Sequence, residues 1–191
     1  MGKGRLEAFT DAVVAVIITI MVLEVRAPQG GDLARIQEQL PVFLAYVLSY
    51  ITIGIFWINH HHMLHAAERV DGWVLYGNLN LLFWLSLIPF VIRWMDESGL
   101  TPFPVAAYGV VLSMAAIGYS LLERAIIACN GRTSGLAVAV GRDFKGWLSI
   151  GLYFVSIPLA FVSPWISVAL YIAVALIWFV PDRRIESTAR T

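Results

Sequence analysis

Long apolar runs, separated by short polar segments, dominate this chain from its beginning almost to its end. Crossing a bilayer takes roughly 20 apolar residues in a helix. Six candidates for such a span lie at about 6–25, 42–64, 73–93, 104–128, 147–163 and 165–180. Prolines stand at several of the predicted span ends, where a missing N–H is tolerated, although Pro89 and Pro158 fall inside spans. The pattern predicts an all-α bundle of six membrane-spanning helices.

Composition agrees with this pattern. The 191 residues are 59% hydrophobic and only 14% charged, with a mean hydropathy of +0.77. A soluble domain carries about 25% charged residues, so the chain is expected to be an integral membrane protein. We expect residues 1–191 to form a single six-span domain with no soluble domain beside it. The net charge of +0 argues against nucleic acid as a partner, and the single cysteine, Cys129, excludes an internal disulfide.

The loop charges predict the orientation. With six spans and a cytoplasmic N-terminus, three basic residues lie outside, namely Arg26, Arg35 and Arg93. Ten lie inside or near the inner end of a span, namely Lys3, Arg5, Arg69, Arg124, Arg132, Arg142, Lys145, Arg183, Arg184 and Arg190. Because cytoplasmic loops are enriched in Lys and Arg, both termini are predicted to be cytoplasmic. The outer segment Leu33–Leu40 is predicted to be a short amphipathic helix.

The first span contains an unexpected carboxylate, Asp11, about one turn inside it. A charge there costs at least ~2.5 kcal/mol unless it has a partner or a function. At about 100° per residue, Asp11 points away from a stripe formed by Val16, Thr19, Ile20 and Leu23. Geometry leaves two interpretations of this stripe open. It is either an ordinary packing or lipid-facing surface, or the wall of a pore at the symmetry axis of several subunits.

The second and third spans supply polar groups at the same predicted depth as Asp11. Since buried polar groups in lipid must find each other, we expect a network that fixes the helix positions, made of Arg5, Asp11, Trp57, His61, Asn78 and Asn80. Its histidine raises the hypothesis of pH sensitivity. His61 and His65 are spaced i,i+4, as metal ligands on one helix face are, but a third ligand would have to come from another span. No metal site is expected.

Three segments resemble one known family. Arg5-x-x-x-Phe9-Thr10-Asp11 is similar to the RxxxF[S/T]D signature of the transmembrane protein 175 family, the potassium channels of endolysosomes and prokaryotes. The run from Trp57 to His61 and the run from Asn78 to Phe90 resemble that family too. The six spans and the chain length resemble its short prokaryotic members, so the resemblance covers nearly the whole chain.

The resemblance implies a potassium-selective channel in the plasma membrane of a prokaryote, with no enzymatic turnover and no cofactor beyond the permeant ion. It implies a homotetramer whose four first helices line a central pore, without the TVGYG filter of ordinary potassium channels. By position after the motif, it places the constriction at Val16, Ile20 and Leu23 and the selectivity layer at Thr19. The motif residues Arg5, Phe9, Thr10 and Asp11 are implied to pack helices rather than to touch ions.

The sequence departs from the family pattern at two positions. Thr10 replaces the commoner serine but keeps the hydroxyl. Val16 stands where a larger Ile or Leu is usual, so the identity of the narrowest ring is left open.

Two other functions remain as alternatives. One is a proton- or cation-coupled secondary transporter using Asp11 and the span-two histidines. Such folds usually show inverted repeats and broken helices, which we do not find in the sequence. The other is an intramembrane metal-dependent hydrolase built on His60, His61, His62 and His65.

Overall fold

The computed structural model describes residues 2–25, 33–131, 133–141 and 143–179. Within these ranges the chain forms eight helices, which are α1 (Lys3–Leu23), α2 (Leu33–His65), α3 (Gly72–Ser86), α4 (Ile88–Ser98), α5 (Pro102–Asn130), α6 (Gly135–Val140), α7 (Phe144–Leu159) and α8 (Pro164–Phe179). The all-α prediction is confirmed. Several arginines used to predict the orientation lie outside the described residues, namely Arg26, Arg132, Arg142, Arg183, Arg184 and Arg190.

Four segments are both long and apolar enough to cross a membrane, namely Lys3–Leu23, Gln39–His65, Gly72–Ser98 and Pro102–Asn130. The predicted fifth and sixth spans appear as α7 and α8, apolar helices of 16 residues each. At 1.5 Å per residue such a helix is about 24 Å long, somewhat less than the ~30 Å hydrocarbon core. The chain is therefore a protein of membrane-spanning helices, while the count of six spans stays a prediction.

The predicted third span is divided into α3 and α4. The division falls at Leu87, two residues before Pro89, which occupies the first turn of α4. Proline has no N–H to bond the previous turn and its ring clashes there, so a helix tends to break just before it. The Ser86 hydroxyl donates to the Phe83 carbonyl at 2.7 Å and so bonds a carbonyl just before the break. Pro89 thus starts a new helix rather than lying inside a continuous span.

The predicted amphipathic helix at Leu33–Leu40 is not separate. It forms the first turns of α2, which continues through Pro41 to His65. A proline inside a helix removes one backbone hydrogen bond, and it is tolerated here near one end of a 33-residue helix.

The centre of the bundle is α5, which packs against α3, α4, α7 and α8. Two glycines let α3 and α5 approach closely. A Cβ added at Gly77 would lie 3.1 Å from Leu122 Cα, and one at Gly118 would lie 3.2 Å from Leu81 Cα. Small residues at a crossing are the usual way for membrane helices to bring their backbones together.

Hydrogen bonds tie the helix ends together at the predicted cytoplasmic side. Lys3 Nζ donates to the carbonyls of His65 and Ala67 at the C-terminal end of α2, at 3.1 and 3.0 Å. A cation is favourable there because of the helix dipole. At the end of α5, Asn130 Oδ1 accepts from the backbone N–H groups of Glu68 and Arg69, both at 2.9 Å. The α2–α3 connection is therefore held from both sides.

We predict that Gly118→Val lowers the melting temperature of the detergent-solubilised protein. The added side chain has to push α3 away from α5, and overpacking of this kind typically costs about 1–3 kcal/mol. Thermal unfolding measures the change. The matched control is Gly151→Val on α7, where an added Cβ meets nothing within 4 Å. Equal melting temperatures for the two variants would contradict the close α3–α5 contact.

Candidate functional site

Helix α1 has two opposite faces. One is buried against α2, α3 and α4 and consists of Leu6, Thr10, Val14, Ile17 and Met21. The other carries the stripe predicted from the helical wheel and is open, with 53% of Val16, 42% of Ile20 and 81% of Leu23 exposed. The fourth residue of the stripe, Thr19, is also exposed. The stripe contains no charged residue, so an uncharged face more than two turns long is left free on the subunit.

A chain of buried hydrogen bonds fixes the packed face of α1. Asn78 Nδ2 on α3 donates to Thr10 Oγ1 at 2.9 Å. The same side chain accepts a hydrogen bond from His60 Nε2 on α2, with Oδ1 and Nε2 2.7 Å apart. All three residues are buried. Because one amide bonds to two helices, the chain links α1, α2 and α3 at a single depth.

A second bond holds the neighbouring residue of the motif. Trp57 Nε1 on α2 donates to Asp11 Oδ1 at 2.7 Å. An indole N–H gives this carboxylate a hydrogen-bond partner next to the Thr10 contact. The indole ring also stacks on His61, with 6.2 Å between ring centroids. Asp11 is therefore directed toward α2 and away from the exposed stripe.

Three members of the predicted network take no part in these hydrogen bonds. The histidine that bonds Asn78 is His60, one residue before the predicted His61, whose ring instead stacks between Trp57 and His65. Asn80 is exposed and lies beside Gly118 of α5. Arg5 is exposed, and its side chain makes no hydrogen bond or ion pair within the described part of the chain. Asn78 and Asn80 are two residues apart, which on a helix means different faces.

Thr19 has a particular geometry on the open stripe. Its hydroxyl donates to the Val16 carbonyl of the preceding turn at 2.9 Å. The hydrogen is thereby committed to the helix backbone, which leaves the lone pairs of Oγ1 as an acceptor on the exposed face. The stripe thus offers one oxygen ligand among apolar side chains.

A groove of ≈ 550 Å³ runs along one side of the stripe, between α1 and the α3–α4 break. Its α1 wall includes the stripe residues Val16 and Ile20, and its far wall includes Pro89 and Phe90. At its end, Glu24 Oε2 lies 3.5 Å from an Nη atom of Arg93, which also donates from Nε to Glu97 at 3.1 Å. Glu24 is therefore held in an ion pair with Arg93 of α4.

Small exposed side chains also run along α1 beside the stripe. Ala8, Ala12 and Ala15 follow the helical spacing of one ridge that continues to Thr19, and Ala12 also borders the groove. We call this set the alanine ridge. The pairs Ala8/Ala12 and Ala15/Thr19 are each four residues apart, which is the small-xxx-small pattern of close helix packing in membranes.

The described residues were predicted to hold no metal site. Over residues 2–25, 33–131, 133–141 and 143–179, no three His, Cys, Asp or Glu side chains are grouped as metal ligands. The ring of His61 meets the ring of His62 edge-on and stacks on the ring of His65.

Comparison with known proteins supports the resemblance seen in the motif. The family model described as endosomal/lysosomal potassium channel TMEM175 matches residues 5–89, from the motif arginine to Pro89. A protein from Chryseobacterium sp. (strain P1-3) named as a potassium channel is 48% identical over 190 residues, which covers 100% of this chain and 99% of that protein. The chain belongs to the TMEM175 family.

Two further similar proteins extend this finding. A potassium channel from Streptomyces collinus is 30% identical over 177 residues, covering 82% of this chain and 85% of that protein. The crystal structure of a lysosomal potassium-selective channel TMEM175 homolog from Chamaesiphon minutus superposes with a TM-score of 0.82 at 26% identity, covering 94% of this chain and 97% of that one. The predicted family is confirmed, and the family is one of ion channels rather than enzymes.

We predict that Asn78→Ala destabilises the protein strongly. The substitution leaves the buried Thr10 hydroxyl and His60 N–H without their partner, and each such loss costs about 1–3 kcal/mol. Thermal unfolding of the purified protein measures the effect. The matched control is Asn80→Ala on the same helix, which is exposed and should change stability by less than about 0.5 kcal/mol. A small loss in both variants would show that the buried chain does not hold α1.

Proposed function

We propose that this protein is a potassium-selective channel of the plasma membrane in which four copies surround a central pore lined by α1. The observation that carries the proposal is the exposed, uncharged stripe of Val16, Thr19, Ile20 and Leu23, which lies on the face of α1 opposite its packed face. Potassium is proposed as the permeant ion because relatives of this chain are named potassium channels. The pore lining, the tetramer and the location in the plasma membrane are inferred from the stripe and the family resemblance.

The two sides of the stripe suggest how the copies pack. In a ring, one side of each subunit meets the other side of the next, which is a heterologous contact that closes on itself. We infer that the alanine ridge of one α1 packs against the groove beside the next, where Phe9, Val13 and Phe90 supply larger side chains. Small against large side chains permits a close approach of the helices. This arrangement turns Leu23 and Val16 toward the axis.

Conduction then depends on rings of four equivalent side chains. Rings of Val16, Ile20 and Leu23 form apolar constrictions that control water and ion passage by dewetting. A ring of Thr19 hydroxyls presents four oxygens whose hydrogens are already committed to the Val16 carbonyls. Oxygen ligands without donated hydrogens suit a cation, so Thr19 is the layer at which potassium is favoured over sodium. No step involves chemical turnover or a metal cofactor.

We also propose the six-span topology with both termini in the cytoplasm and residues 1–191 as one domain. In it, the end of α1 that Lys3 joins to α2 lies at the inner face, and the Glu24–Arg93 pair lies at the outer mouth. In this topology the shorter helices α7 and α8 are the fifth and sixth spans, and the turn before Pro164 connects them.

We predict that changes in the stripe alter ion flux through liposomes containing the purified protein. Leu23→Ala and Val16→Ala enlarge the apolar rings and should raise rubidium uptake several-fold, because a wider ring is more easily wetted. Thr19→Val keeps the shape and removes the oxygen, so it should lower the ratio of potassium to sodium flux. The control is Leu176→Ala, an exposed residue of α8 that should leave both quantities unchanged.

Two outcomes of the flux assay would contradict the channel. If wild-type protein passes neither potassium nor rubidium, or if both ring variants behave like Leu176→Ala, the pore assignment fails. Saturable flux driven by a proton gradient and abolished by Asp11→Asn would indicate the coupled transporter instead.

We predict that Leu23→Cys forms disulfide-linked dimers between subunits under mild oxidation. In a Cys129→Ala background, cysteines at the axis of a tetramer come close in pairs, and a non-reducing gel detects the linked chains. Leu176→Cys is the control and should remain monomeric on the gel, because it faces lipid on the outside of the proposed ring. The particle mass of the uncrosslinked protein should correspond to four chains. A monomeric particle, or equal cross-linking at both positions, would refute the arrangement.

A further inference from the structure

The outer end of α1 carries a charge beside the stripe rather than on it. Glu24 caps the C-terminal end of α1 and follows Leu23, the most exposed member of the stripe. It lies at the end of the groove, where its Oε2 is 3.5 Å from an Nη atom of Arg93 on α4. The side chains of Glu24 and Arg93 are 25% and 56% exposed. Neither charge is enclosed by the subunit.

The ion pair is not required to keep either charge inside the protein. Exposed ion pairs of this kind usually add little to folding stability. Arg93 also has a second partner on its own helix, because its Nε donates to Glu97 at 3.1 Å, one turn further along α4. The guanidinium is therefore held on α4 by Glu97 as well. What the contact with Glu24 changes is the charge at the end of α1.

That end of α1 is negative for two reasons. The last carbonyl groups of a helix carry a negative charge of about half an electron, and α1 has no basic residue in its last turn to offset it. Glu24 adds a full negative charge at the same point. In the proposed channel, four such ends meet at the outer mouth. Charges of one sign around an entry raise the local concentration of the opposite ion, which here is potassium.

We propose that Arg93 sets the potassium concentration at the outer mouth by neutralising Glu24, and thereby limits the conductance of the channel. This role rests on the proposed function and adds to it a residue outside the stripe. Because the guanidinium lies so close to the carboxylate, an ion at the mouth meets a pair of opposite charges instead of a full negative charge. The attraction to one member is then largely cancelled by the repulsion from the other.

Single-channel currents of the purified full-length protein in planar bilayers test this role. They are measured at about 0.01 M and about 1 M potassium, where charges are screened over ~30 Å and ~3 Å. In Arg93→Gln, the unpaired Glu24 should raise the conductance about fivefold at low salt and leave it unchanged at high salt. The increase should be larger for current that enters from the outer mouth. Arg93→Lys keeps the charge and should conduct like the wild type.

Two comparisons separate the effect of charge from an effect on structure. Glu24→Gln/Arg93→Gln removes both charges, so its low-salt conductance should return to about the wild-type value. Every other charge at the mouth is the same in these variants, so the difference between Arg93→Gln and the double variant reports Glu24 alone. Arg69→Gln removes an exposed arginine from the α2–α3 connection, on the predicted inner side, and should leave the current entering from the outer mouth unchanged.

The possible failures are distinguishable. A low-salt conductance of Arg93→Gln equal to that of the wild type would refute the role of Arg93 and leave the channel in place. A change of equal size at both salt concentrations, or one that persists in the double variant, would mean that Arg93 acts by holding α4 in position rather than by setting the ion concentration. If the wild type passes no current at either concentration, the proposed channel and this role are both wrong.

Discussion

The rotation of α1 about its own axis is the constraint on which the candidate ion pathway depends. Thr10 bonds to α3 and Asp11 bonds to α2, so two adjacent residues are held by two different helices. Turning α1 by one residue, about 100°, would break both bonds. The Thr10 bond is buried, so losing it would leave polar groups without a partner. The polar residues therefore fix which apolar face of α1 stays free, and they do so without lying on that face.

The open stripe could be predicted from sequence because its geometry is local. Within one continuous helix, the helical period alone places Val16, Thr19 and Leu23 together and turns Asp11 away. The same period separates Asn78 from Asn80, so the sequence already held the information that only one of them faces α1. The choice of His60 over His61 was different. Which of two consecutive histidines faces α3 depends on the rotation of α2 about its own axis. That rotation depends on packing against α1 and α3.

Other features depend on contacts between distant segments and left no local signal. The break at Leu87 has a local cause in Pro89, but a proline is equally compatible with a kink. The close approach of α3 and α5 depends on Gly77 and Gly118, whose added Cβ atoms would lie 3.1 Å from Leu122 Cα and 3.2 Å from Leu81 Cα. A glycine in the sequence does not by itself indicate which helix crosses it, so this contact becomes visible only in the packed bundle.

The proposed assembly has consequences for the members of the stripe. The Thr19 donor is already satisfied and the rest of the stripe is apolar, so lipid would solvate the stripe of a lone subunit without penalty. Because the hydrophobic effect gives no driving force between membrane helices, packing of the alanine ridge into the groove would have to supply it in the proposed tetramer. Val16 and Ile20 line the groove, so a neighbouring subunit seated there would restrict their rotamers. Leu23 lies outside the groove and is the most exposed member of the stripe. In the proposed tetramer its side chain would therefore keep the greatest freedom to move toward or away from the axis, which is the reason to expect a gate at Leu23.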